Sequence, residues 1–137
     1  MQWPSKKILK LHGFLLTGLG GVTCLKSIVG FHFAKGPFLF LGTNEVAAVG
    51  FIEAYGLACM LGISLIIAAT KSYRRSWHLI AALIHLFLFI VNIRFWHLYE
   101  PLNLQPAGLI ATALHLCLVI LEASCFFIEG RNELASR

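Results

Sequence analysis

Four long apolar stretches, separated by short polar breaks, limit the fold of this chain more than any other feature. They cover residues 8–31, 45–69, 77–99 and 106–128. At about 1.5 Å per residue, each is long enough to cross a hydrocarbon core of about 30 Å. Of the 137 residues, 58% are hydrophobic and only 12% are charged, against about 25% charged in a soluble domain. Aspartate is missing altogether. A soluble core cannot hide that much apolar surface, so lipid is the expected solvent. The expected fold is all-α, an integral membrane up-down four-helix bundle, with residues 1–137 forming a single transmembrane domain.

The breaks have recognisable chemistry. Gly36-Pro37 interrupts the chain after the first stretch, and residues 31–44 read as an apolar loop lying at the membrane interface. Residues 71–75 form a basic loop, and residues 100–106 form a turn that ends on Pro106, a good first-turn residue for the last helix. The polar tail, residues 129–137, is expected to fray. The first stretch follows Lys6, Lys7 and Lys10 as a signal peptide would. No convincing small-x-small cleavage site follows it, so an uncleaved first helix is expected.

Basic residues set the orientation. Lys6, Lys7 and Lys10 precede the first helix, Lys71, Arg74 and Arg75 separate the second from the third, and Arg131 and Arg137 follow the fourth. With four spans these regions share one side, and only Lys35 lies in a loop on the other. The positive-inside rule then puts both termini in the cytoplasm. The net charge of +5 is therefore a topology signal, and no nucleic-acid partner is expected. Tyr73 and Trp77 at one end of the third helix, with Trp96 and Tyr99 at the other, read as aromatic belts about 28 Å apart.

Small residues recur every fourth position: Gly13, Thr17 and Gly21 in the first helix, and Gly50, Ala54, Ala58 and Gly62 in the second. Such stripes let helices approach closely in lipid, so these two helices are expected to touch along them. Cys24, Cys59, Cys117 and Cys125 lie inside apolar stretches without a CxxC pair and read as small hydrophobes. No HExxH, Walker or GxGxxG motif stands in a suitable context, no metal site is apparent, and no loop is long enough to carry a hydrolytic triad. The sequence leans away from an enzyme.

Ionisable residues inside the bilayer need company from protein or water. Counted from each helix midpoint, Lys26 lies about 9 Å, Glu53 about 7 Å and Arg94 about 9 Å into the outer half. This matched depth reads as a buried cluster of net charge +1, suited to a lipid phosphate or another anionic ligand, to a quinone, or to fixing helix register. In the inner half, His12, His115 and Glu122 read as a polar file, which either relays protons with the outer cluster or, as is commoner, consists of neutral histidines donating to backbone carbonyls. On the third helix His78, His85 and Asn92 recur every seven residues, and Arg94 falls on the opposite side from His85. Arginine is the costlier group in lipid, so Arg94 is expected to point inward and His85 toward a neighbouring helix edge or a partner subunit. Haem b ligation by His85 and His115 would need facing rings at one depth. The midpoint count separates them by about 7 Å. No cofactor is therefore expected, with quinone or haem b as the alternatives.

The run Glu53-Ala54-Tyr55-Gly56-Leu57-Ala58-Cys59-Met60-Leu61-Gly62 resembles the second helix of DoxX-like four-helix bacterial membrane proteins. Asn92-Ile93-Arg94 resembles their third-helix position, and Glu122 resembles an acidic residue of their last helix. Lys26 departs from that pattern. The resemblance implies a compact bundle of the bacterial inner membrane, accessory in some members to quinone-reducing systems. Together these readings give an accessory or binding subunit in the lipid bilayer, holding its ligand at Lys26, Glu53 and Arg94. The alternatives are a quinone- or haem-linked redox subunit and a purely structural subunit, with a homo-oligomer or a membrane-complex partner.

Overall fold

Helix starts and stops follow local chemistry. In the computed structural model, which describes residues 5–135, the chain forms four helices: α1 Ser5–Phe33, α2 Glu45–Lys71, α3 Ser76–Arg94 and α4 Gln105–Ala135. The fold is all-α, and each helix is long and apolar enough to cross a membrane. Arg137, one of the residues used to assign orientation, lies outside the described residues. α1 ends where Ala34 and Gly36 take φ of 48° and 77°, left-handed values that cannot continue a right-handed helix. Within residues 31–44, expected as loop, α1 runs on to Phe33 and a short 3-10 turn forms at Leu39–Thr43, with Leu41 buried. α2 begins under a side-chain cap, the Asn44 Oδ1 accepting from the Ala47 N–H at 3.0 Å. Glu45 in its first turn and Lys71 in its last complement the helix dipole.

Two boundaries differ from expectation. α3 stops at Arg94 instead of continuing to Tyr99, and residues Trp96–Leu98 form a 3-10 turn. Its 19 residues still give about 28 Å of helix. α4 continues through the polar tail to Ala135 instead of fraying, and an Arg75–Glu133 ion pair at 3.1 Å ties that extension down. Hydroxyls inside the helices donate to carbonyls one turn back: Thr17 to Gly13 at 2.8 Å, Ser64 to Met60 at 2.9 Å and Ser124 to Ile120 at 2.7 Å. Satisfying them within the helix suits an environment without water.

The chain divides into two compact units, Lys6–Tyr73 carrying α1 and α2, and Arg74 onward carrying α3 and α4. In the first, α1 and α2 touch backbone to backbone. A Cβ on Gly62 would stand 2.5 Å from the Thr17 nitrogen and 2.6 Å from the Gly13 oxygen, and one on Gly20 would stand 2.7 Å from the Cys59 nitrogen. Only glycine permits that approach. In the second unit α3 and α4 form an antiparallel hairpin. It is seamed by polar side chains, and Ala81 and Ala82 are buried between the histidines of α3.

Candidate functional site

The polar residues of α3 meet those of α4 rung by rung. His78 and Glu122, both fully buried, are hydrogen-bonded through Nδ1 and Oε2. One α-helical heptad further along, His85 and His115 meet Nδ1 to Nδ1 at 2.9 Å, their ring centroids 5.1 Å apart. At the third level the Tyr99 hydroxyl donates to the Asn92 Oδ1 at 2.9 Å, and its ring lies so close over Gly108 that a Cβ there would stand 2.9 Å from it. Burial pushes the Tyr99 phenol up from its ordinary value, so it keeps its proton and donates.

The rungs follow from the hairpin. In antiparallel helices joined by a turn, residues equidistant from the turn face each other. Here the turn centres near residue 100, so positions 78, 85 and 92 oppose 122, 115 and 108. Spacing of seven keeps each set on one face. This register corrects the expected separation of His85 and His115. Midpoint counting treats the helices as equally long, but α3 has 19 residues and α4 has 31. It also corrects the choice between Arg94 and His85. Arg94 is the exposed last residue of α3, its guanidinium 5.8 Å from the Phe95 ring centre, whereas His85 is buried. A guanidinium at a helix end escapes toward water, which an imidazole at mid-helix cannot do.

Each rung holds a restricted number of protons. With one proton between them, His78 and Glu122 are neutral as a pair, and a second proton or none leaves a net buried charge. Between His85 and His115 one Nδ1–H donates to the other's lone pair, so the rings hold opposite tautomers. Because the two Nδ1 atoms already touch, a metal between these rings would require the helices to part. Among the described residues no three His, Cys, Asp or Glu side chains converge as a metal site would need.

The other expected site residues lie elsewhere. Lys26 on α1 and Glu53 on α2 are exposed, and among the described residues neither makes an ion pair. His12 is buried on α1. Of the small-residue stripes, Gly13, Thr17 and Gly62 stand in the α1–α2 contact, Gly21 lies against the Cys59 sulfur, and Ala58 faces Gly20. Ala54 is exposed, and a Cβ on Gly50 would meet open space. Of the ladder members only His115 and Glu122 are among the expected site residues; His78, Asn92 and Tyr99 are not, and His85 enters only as an alternative haem ligand. The signal that reveals them is the heptad 78/85/92/99, mirrored over its first two positions by 122/115.

Four membrane-length apolar helices, two of them joined by a buried polar seam, define a small multi-pass membrane protein. Compared with protein-family models, with curated proteins and with solved structures, the chain finds no match.

Proposed function

We propose that this chain is an accessory subunit of a bacterial inner-membrane complex, and that its α3–α4 ladder holds and passes protons for a quinone-reducing partner. The observation that carries this reading is the pair of adjacent buried rungs, His78–Glu122 and His85–His115, each built to share a single proton. Ionisable groups buried in a membrane hairpin are costly, and where they occur they mark proton or ion pathways. The rungs stand seven residues apart, or about 10.5 Å. A hydrogen-bonded step spans about 2.8 Å, so the two rungs do not touch, and the reading requires water to enter between them.

Two further observations support it. Asn92 and Glu122, which carry part of the resemblance to DoxX-like proteins, both belong to the ladder. Glu53 is exposed about 7 Å from the middle of its apolar helix, where a bare carboxylate is costly. A partner subunit, a second copy of the chain or an anionic ligand bridged by Lys26 would cover it. The basic loop at residues 71–75 and the lysines before α1 support cytoplasmic termini.

The test is proton uptake into liposomes holding the purified full-length chain and an internal pH dye, driven by a potassium diffusion potential. The chain should conduct above empty liposomes, and Glu122→Gln should slow it at equal folded yield. Flux no greater than empty liposomes, together with no quinone extractable from the natively purified chain, would remove the reading.

A further inference from the structure

Away from the ladder, at the open end of the same hairpin, Arg75 just before α3 and the last turns of α4 line a cleft of about 400 Å³. Its walls divide by chemistry. Arg75, Arg131 and Glu133 supply charge, while Phe126, Phe127 and Leu134 supply apolar surface. The charges sum to +1, with two guanidiniums against one carboxylate. We infer that this cleft binds the headgroup of an anionic phospholipid, its phosphate on the arginines and its glycerol and upper acyl chains against the phenylalanines and Leu134.

Arg75 is set in place for that task. Its Nε engages the Glu133 carboxylate at 3.1 Å, its guanidinium lies 5.1 Å over the Phe126 ring, and its Nη1 rests where a Cβ on Gly130 would stand. Any side chain at position 130 would displace it. A guanidinium has five N–H donors, and the carboxylate contact uses Nε, so the Nη groups remain for a phosphate. Arg131 is exposed beside it. The two arginines differ in role: Arg75 is held by the fold, and Arg131 brings the unbalanced charge.

The position in the bilayer fits a headgroup. Arg75 immediately precedes α3, and Trp77, a residue type enriched at the membrane interface, follows two residues later. If the hairpin spans the bilayer, the cleft therefore lies at headgroup level. It lies on the end carrying Arg74 and Arg75, which the positive-inside rule assigns to the cytoplasmic leaflet, where anionic lipids concentrate. A free anion would have no use for the apolar half of the cleft.

The experiment is native mass spectrometry of the full chain in detergent, titrated with phosphatidylglycerol or phosphatidylcholine, with inorganic phosphate as soluble competitor. The wild type should retain phosphatidylglycerol in preference to phosphatidylcholine. Arg131→Gln, at an exposed site that does not hold the hairpin together, should lower that retention about fivefold. Lys35→Gln, which removes one charge from the loop between α1 and α2, should leave it unchanged. Equal losses in the two variants, no preference for the anionic lipid, or displacement by inorganic phosphate would each overturn the assignment.

Discussion

The two hairpins solve one problem in opposite ways. Lipid gives helices no hydrophobic reason to associate, so they need either close backbone contact or polar groups that find each other. The α1–α2 hairpin uses the first device: at Gly13, Gly20 and Gly62 side chains are absent and the backbones meet. The α3–α4 hairpin uses the second, with His78–Glu122 and His85–His115 joined across its seam and the Tyr99 hydroxyl bonded back to Asn92 at the turn. The first arrangement meets through backbone and small residues, with the Cys59 thiol beside Gly21, and is suited to holding shape. The second keeps protonatable atoms in register inside an apolar hairpin, which shape alone does not require.

The sharpest way to break the comparison is to add a methyl group to the first hairpin. Gly62→Ala would normally favour a helix by about 1 kcal/mol. Here its Cβ would meet backbone atoms of Gly13 and Thr17 that cannot rotate away. We expect a loss of about 3 kcal/mol, the upper end of overpacking costs, read as an earlier midpoint in dodecyl sulfate unfolding followed by circular dichroism. An unchanged midpoint would mean that the two backbones do not meet as described.

In the second hairpin the corresponding blow is to a partner, not to space. Glu122→Ala leaves the buried His78 Nδ1 without its acceptor, at a cost of about 2 kcal/mol. Glu122→Gln keeps a carbonyl oxygen in place and should recover about half of that loss. Equal unfolding midpoints for the two variants would show that the hydrogen bond contributes nothing.

This contrast also explains what could be read in the sequence. The four helices and their all-α class were legible because apolar runs of membrane length allow little else. Helix pairing was legible at Gly13, Thr17 and Gly62, but not at Gly50. Each four-residue step overshoots a full turn by about 40°, so three steps carry Gly50 about 120° round the helix from Gly62. Gly20, three residues after Thr17, corrects that drift and meets the α2 backbone, where Gly21 meets only the Cys59 sulfur. The ladder was half legible. The heptads on α3 and α4 could be seen separately, but their pairing depends on where the chain turns. The early end of α3 at Arg94 moved that point. Depth counted from helix midpoints therefore placed His85 and His115 apart, while counting from the shared turn brings them together.

The middle rung offers a finer test. In a double-mutant cycle with His85→Phe and His115→Phe, the coupling should be about 0.6–1.7 kcal/mol, the range for hydrogen bonds between membrane helices. A coupling near zero would reduce the rung to a chance contact of two rings. At the turn, Tyr99→Phe removes the hydroxyl that Asn92 accepts and should cost about 0.5–1 kcal/mol. Its pH dependence has a definite sign. Burial raises the Tyr99 pKa above its ordinary 10.0 in the folded chain. The contribution is thus complete below pH 10.0 and is lost as pH climbs toward the folded value. Tyr99→Phe should abolish that alkaline decline, and a decline persisting in the variant would assign it to another group.

The smallest expected effect decides whether spacing or contact makes the first hairpin. Gly50 shares the four-residue periodicity of Gly62, yet a Cβ there meets nothing within 4 Å. If periodicity itself marked the interface, Gly50→Ala would be as harmful as Gly62→Ala. If contact decides, Gly50→Ala should shift stability by no more than about 0.5 kcal/mol, as exposed substitutions do. The same unfolding titration that reads Gly62→Ala serves here, so the two variants form a matched pair with one chemical change at two rotations of one helix. A large loss from Gly50→Ala would mean that this face of α2 is covered by a second copy of the chain or by a partner, which would extend the close-packed surface beyond α1.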